Sequence, residues 1–266
     1  MIWGLLLIVI IILIYFAIAL FNRLDLVKNF KRCNCIVFGK KGTGKDLIFQ
    51  EVINSRKKEY YYSNVNYGNK YNYACPKSLE LPHNDYKSFI NGEVVKEDKP
   101  PYEQKDFYFS DCGIILPSQY DTTLYKLYPS FPITYALSRH LYSNNIHCNT
   151  QALSRVWKSL REQADYYIMC RRTIKVFGLL VTFYTTYEKY ETAVQALNPL
   201  GARLVNKYSR AEVDKFNATN GTIKKGFIIQ RCKKVVYDTR AYHEIIFGEK
   251  APAKVRRSIS KKKRAT

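Results

Sequence analysis

Residues 35–46 read Cys-Ile-Val-Phe-Gly-Lys-Lys-Gly-Thr-Gly-Lys-Asp, and Leu-Ile-Phe-Gln-Glu-Val-Ile follows at 47–53. A short apolar run breaks into glycines and a lysine, then resumes with helical character, so the stretch reads as strand, phosphate-cradling loop and helix. Gly39, Gly44 and Lys45 fit the G-x-x-x-x-G-K spacing. Glycines let backbone N–H groups turn inward on phosphate, and the lysine is a point charge for the terminal phosphates. The loop residues Lys40, Lys41, Gly42 and Thr43 complete the expected nucleotide-binding set. Asp46 stands where a Ser or Thr hydroxyl usually meets Mg²⁺. A carboxylate also ligates Mg²⁺, at the cost of a negative charge beside phosphate. ATP with Mg²⁺ is the expected ligand pair, and binding follows from these residues more directly than hydrolysis does.

Working outward, 266 residues hold one sizeable α/β domain with appendages. With 43 Lys and Arg against 22 Asp and Glu the formal charge is +21, which implies acidic partners, nucleic acid or anionic lipid. The seven cysteines are odd in number and dispersed, as for packed, reduced thiols rather than a disulfide framework. Cys33, Cys35, His147 and Cys148 lack the paired spacing of a zinc site.

Before the loop, residues 2–21 carry no charge and are almost wholly apolar, enough for a helix of roughly 30 Å across a bilayer. A cleaved signal would start with basic residues and have a shorter apolar core. Arg23, Lys28, Lys31 and Arg32 follow the run, and nothing basic precedes it. The positive-inside rule therefore leaves the bulk of the chain in the cytoplasm as a single-pass protein.

After the loop, 59–65 reads as a second strand. The tyrosines up to Tyr73 fit a half-buried strand and its loop better than base-stacking positions. Residues 75–106 are rich in proline and charge and read as irregular connection. Phe-Tyr-Phe-Ser-Asp at 107–111 is an apolar strand ending in an acid, as a Walker B strand does to hold the metal, so Asp111 is the second metal candidate with Asp46. Cys112 occupies the place of a water-polarising glutamate and cannot serve as one. A helix is expected at 133–142 and a strand at 144–151, whose tip, Gln151, is the candidate γ-phosphate or water sensor. Arg155, Arg161, Arg171 and Arg172 lie in or beyond a helix-like stretch at 153–164. Arg155 and Arg161 are candidates to reach a neighbouring subunit's phosphate, against the plainer reading of a solvated face. Residues 175–183 read as one further strand, too short for a second membrane span. A helix is expected near 202–216, a turn at Asn220-Gly221 and strands at 226–230 and 234–237. The tail from Lys250 to Arg264 has eight Lys and Arg and no acid, fit for DNA or the inner leaflet.

Taken together, these segments resemble the zonula-occludens-toxin-like family of filamentous phage assembly ATPases. The resemblance rests on residues 39–46, Tyr62-Ser-Asn-Val65, residues 107–111, Ser138-Arg-His140, the Thr150-Gln151 end of the following strand and Leu160-Arg-Glu-Gln-Ala-Asp-Tyr166. Tyr237-Asp-Thr239 and Tyr242-His243 are softer matches. It implies a P-loop NTPase domain of the additional-strand type over 33–248; by their own composition a membrane helix at 1–22 and a basic linker at 23–32 are expected before it and a basic tail at 249–266 after it. It further implies an oligomeric ATPase in the host cell membrane that extrudes a single-stranded DNA phage (an inovirus) as coat and other assembly proteins gather on it. The family usually places its membrane helix after the ATPase domain, whereas here it comes first. The rival readings are a DNA translocase or conjugation-type pump and a non-catalytic nucleotide-binding membrane adaptor.

Overall fold

The computed structural model describes residues 2–56, 60–68, 71–74, 105–112, 135, 145–156, 158–188, 193 and 223–232. The helices expected at 133–142 and 202–216, the turn at 220–221, the strand at 234–237, the motif residues beyond 232 and the basic tail lie outside them, as does most of the 75–106 connection.

Helix α1 (Ile2–Arg32) leads into strand β1 (Cys35–Phe38) and helix α2 (Lys45–Ser55). Strands β2 (Tyr61–Ser63), β3 (Tyr71–Tyr73), β4 (Phe107–Phe109) and β5 (Ile146–Thr150) follow, then a 3₁₀ turn at Leu153–Arg155 and helix α3 (Lys158–Gln163). Strands β6 (Tyr166–Val176), β7 (Leu179–Tyr187) and β8 (Ile223–Arg231) complete the described elements. They form one sheet in the order β3-β2-β4-β5-β1-β6-β7-β8. The strands from β3 to β6 are parallel, and β7 and β8 add on antiparallel. β5 lies between the loop strand β1 and the acid-bearing strand β4, which is the additional strand expected from the motifs.

The central strands are buried on both faces, so Cys-Ile-Val-Phe reads as a continuous apolar run rather than an alternating one. Ile36, Phe38, Phe107, Phe109 and Cys148 pack on one face with Leu153, Val156 and Leu160. Val37, Tyr108 and Ile168 pack on the other with Ile48, Phe49 and Val52 of α2 and Leu26 and Phe30 of α1.

The basic stretch 23–32 is helix, not linker. Nothing breaks the helical run before Arg32, and Leu26 and Phe30 bury themselves in the domain core. Arg23 Nε lies 2.6 Å from Glu51 Oε1 of α2. Large apolar side chains from Trp3 to Phe21, by contrast, are 43% to 83% exposed. Among the described residues α1 is the helix long and apolar enough to cross a membrane.

Two further expectations are corrected. Residues 175–183 are not one strand, because the chain reverses at Phe177-Gly178, both with positive φ (45° and 76°), the backbone a tight hairpin turn requires. Gly178 is the signal in the sequence that marks this turn within an otherwise apolar run. Residues 153–164 are not one helix: Ala152 and Val156 are extended, so a 3₁₀ turn and a six-residue helix replace it.

Candidate nucleotide-binding site

The loop between β1 and α2 is shaped from behind by the β6–β7 hairpin. A Cβ on Gly39 would lie 2.5 Å from Cys170 O, and one on Gly44 would lie 2.2 Å from Thr173 Oγ1, so both close approaches require glycine. Thr173 Oγ1 donates to Thr43 O at 2.9 Å, and Thr43 Oγ1 donates to Lys40 O at 2.7 Å. The crown of the loop is open: Lys40, Lys41 and Gly42 are exposed, and nothing lies within 4 Å of where a Gly42 Cβ would stand. Lys45 is buried, its Nζ donating to Lys40 O at 3.3 Å. The positive end of α2 therefore points into a cradle of backbone N–H groups with one buried ammonium beneath it.

Asp46 sits in the first turn of α2 but does not cap it. The capping position is Gly44, with no side-chain hydrogen bond. Instead Asp46 Oδ1 accepts from Tyr67 OH (2.8 Å), Ser110 Oγ (2.9 Å) and Asn149 Nδ2 (2.7 Å). One carboxylate thus ties α2 to the segments following β2 and β4 and to the end of β5. Among the described residues its Oδ2 takes no hydrogen bond.

The turn after β4 is held as closely. Ser110 N donates to Asn64 Oδ1 at 2.8 Å, Asn64 Nδ2 returns a bond to Ser110 O at 3.0 Å, and Asp111 N donates to Asn149 Oδ1 at 2.7 Å. These bonds hold Asp111 at φ 51°, a left-handed backbone that Asp tolerates better than most residues. The pairing Phe109↔Cys148 explains the match, since it brings Ser110 opposite Asn149 and Asp111 toward Gln151. Burial and the neighbouring Asp46 push the Asp111 carboxyl up, while Lys45, a hydrogen bond from Gln151 and Lys41 pull it down.

The structure thus brings Lys45, Asp46 and Gln151 together around Asp111. Cys112 is wholly buried, its Sγ against Phe109 O at 3.2 Å. Arg155 is exposed in the 3₁₀ turn, and Arg161 turns onto its own segment, Nη1 donating to Ser154 O at 3.3 Å. Sequence reasoning passed over Tyr67, Ser110 and Asn149, and met Asn64 only as a motif letter. Asn149, two residues before Gln151, was legible as a buried polar residue near a strand tip.

The residues present fit a nucleotide and its metal. The glycine-bounded cradle leaves open space at its crown, and two carboxylates converge beside a buried lysine, a donor set suited to a hard divalent cation.

No protein-family model and no curated protein matches the sequence. Among solved structures, the chain is similar to the N-terminal domain of zonular occludens toxin from Neisseria meningitidis (12% identity, TM-score 0.39, 79% of this chain and 96% of that one). It is similar to the genome packaging NTPase B204 of Sulfolobus turreted icosahedral virus 2, solved with AMP (15%, TM-score 0.36, 78% and 96%). The pCW3 conjugation coupling protein TcpA, solved with ATPγS, is a third (10%, TM-score 0.36, 57% and 58%). The first is a domain of the family that the motifs resemble. The chain's own strand order and phosphate loop give it the α/β fold of a P-loop NTPase domain.

Proposed function

We propose that this chain is a membrane-anchored ATPase that drives assembly and extrusion of a filamentous single-stranded DNA phage. The observation that carries the enzymatic part is the convergence of Asp46, Asp111 and Gln151 with the buried Lys45 on one glycine-bounded loop. In this reading residues 39–45 hold the phosphates, with Lys45 on the terminal ones. Asp111 and Oδ2 of Asp46 would hold Mg²⁺, which would supply positive charge to offset the charge that develops on the phosphates. Gln151 orients the attacking water, Asn149 holds the metal-binding turn in register, and Arg155 or Arg161 acts on a neighbouring subunit of an oligomer. With no glutamate at Cys112, Asp111 and Gln151 are left to position water, which predicts slow turnover.

The membrane part rests on the exposed apolar run of α1, because a soluble protein rarely leaves so long a stretch uncovered. The basic residues after it favour a cytoplasmic location for residues 33–248 and for the tail at 249–266. The phage-assembly part is supported by the motif resemblance and by a charge of +21 that suits a viral single strand. Its partners are then coat and other assembly proteins.

The test is phosphate release by the full chain in proteoliposomes, alone and with single-stranded DNA, duplex DNA or coat protein. Stimulation by coat protein and single strands supports the proposal. Stimulation by duplex alone indicates a translocase, and nucleotide binding without phosphate release indicates an adaptor.

A further inference from the structure

Strands β6, β7 and β8 extend past the end of β1, and among the described residues nothing packs on one sheet face there. The register rows Ile174–Val181–Ile229 and Val176–Leu179–Arg231 put apolar side chains on that face, with the exposed Arg231 at its β8 border. Ile174 is 38%, Val176 40% and Phe177, at the turn, 100% exposed. One row lower the Arg172 guanidinium lies 5.1 Å from the Phe183 ring, and Phe183 meets Phe227 at 6.0 Å. Arg171 and Lys225 border a cavity of about 410 Å³ beside them. The three strands carry six Lys and Arg and no Asp or Glu.

What adjoins this face is fixed by α1. Asn22 Nδ2 donates to Phe227 O at 3.2 Å, and the Tyr15 ring lies 6.2 Å from Phe227, so α1 runs along β8, the last strand of the described sheet. Lys224 Nζ is 3.8 Å from Asp25 Oδ2. Residue numbers thus fall along α1 as they rise along β8, and the apolar run of α1 projects from the same end of the domain as the hairpin tip. The ring contacts Tyr15–Phe227 and Phe183–Phe227 link α1 to the apolar rows above, with Arg172 and Arg231 beside them.

We infer that the β6–β7 hairpin is a second membrane contact: its tip at Ile174, Val176 and Phe177 seats in the headgroup region of an anionic bilayer, with Arg172 and Lys225 against lipid phosphates. Four residues from Phe227 to Arg231 rise about 13 Å, enough to carry the tip through the roughly 5–10 Å that an interfacial segment occupies. An apolar tip backed by basic residues without acids is the composition such a surface selects. Because Thr173 of the same hairpin holds Thr43, the lipid contact lies beside the phosphate loop. The inference rests on α1 entering the membrane.

The test uses the full chain in vesicles of phosphatidylcholine with phosphatidylglycerol, in Phe177→Trp and, as control, Tyr60→Trp, at an exposed residue where β2 begins. Each spectrum is corrected for the parent's two tryptophans. Brominated lipid should quench most of the emission added by Phe177→Trp and none added by Tyr60→Trp, and adding Arg172→Gln with Lys225→Gln should reduce that quenching. Free iodide quenching of the residue-177 tryptophan, in protein that still floats with vesicles, overturns the inference and leaves the α1 reading standing. Protein that does not float overturns both. A residue-177 signal that answers to single-stranded oligonucleotide, or cross-links between copies, without lipid quenching assigns the face to that occupant and overturns the lipid assignment.

Discussion

Asp46→Ala is the perturbation that separates a metal-site substitute from a structural hub. Oδ1 takes three hydrogen bonds, and Tyr67, Ser110 and Asn149 are each fully buried. A hydrogen bond to a charged acceptor contributes about 1.5–3 kcal/mol. Asp46 itself is half-buried, so water would replace part of what the donors lose, and removing a negative charge near Asp111 offsets more. The expected loss is about 3–4 kcal/mol, which at an m-value of about 2–3 kcal/mol/M lowers the urea midpoint by roughly 1–2 M. Asp46→Asn keeps an oxygen in place without the charge and should cost about 1–2 kcal/mol. Asp46→Ser has a shorter reach and one acceptor oxygen, and should fall between the two. Urea unfolding of the full chain in detergent, without nucleotide, reads all three. An alanine variant within about 1 kcal/mol of the parent would refute the hub.

Three further outcomes follow from other contacts. A fragment beginning at residue 22 should be more stable than one beginning at residue 29 by about 3 kcal/mol, because the shorter piece loses buried Leu26 and the Arg23–Glu51 ion pair; equal urea midpoints would make the α1 docking incidental. Burial alone would raise the Asp106 carboxyl, but His147 and Arg56 outweigh it and hold its pKa at about 2. That depressed value contributes about 2–3 kcal/mol above pH ~4, lost as pH falls from about 4 to about 2; Asp106→Asn should flatten stability across that window, and an unchanged acid profile would count against the pairing. Gly44→Ala places a Cβ at φ 95° against Thr173 and should weaken ATP binding by about tenfold or more in calorimetry, whereas parent-like affinity would show that the loop is not held as described.

The phosphate loop, the strand ending at Asp111 and the tip at Gln151 were legible because each is a local pattern: glycines at fixed spacing, or an apolar run closed by a polar residue. Strands β1, β4 and β5 were legible because they carry those patterns. The Asp46 network was not legible. Tyr67, Ser110 and Asn149 meet one carboxylate only once parallel pairing sets Phe109 beside Cys148, a registry no local pattern encodes. The docking of Leu26 and Phe30 escaped for a related reason, since a basic segment after a membrane run looks like a linker until its apolar residues find a core. The hairpin at Phe177-Gly178 has a local mark in Gly178, masked by apolar and β-branched residues on both sides that favour continuous strand.

The central claim, that this loop binds nucleotide and serves an ATPase, is met most directly by Mg²⁺-ATP binding and phosphate release measured on the full chain and on Lys45→Ala. The account predicts binding and slow release by the parent, and a loss of affinity of about a hundredfold or more in Lys45→Ala, whose nucleotide-free unfolding temperature stays within a few degrees. A Lys45→Ala chain that binds ATP as tightly as the parent, or a parent that binds none, would contradict it.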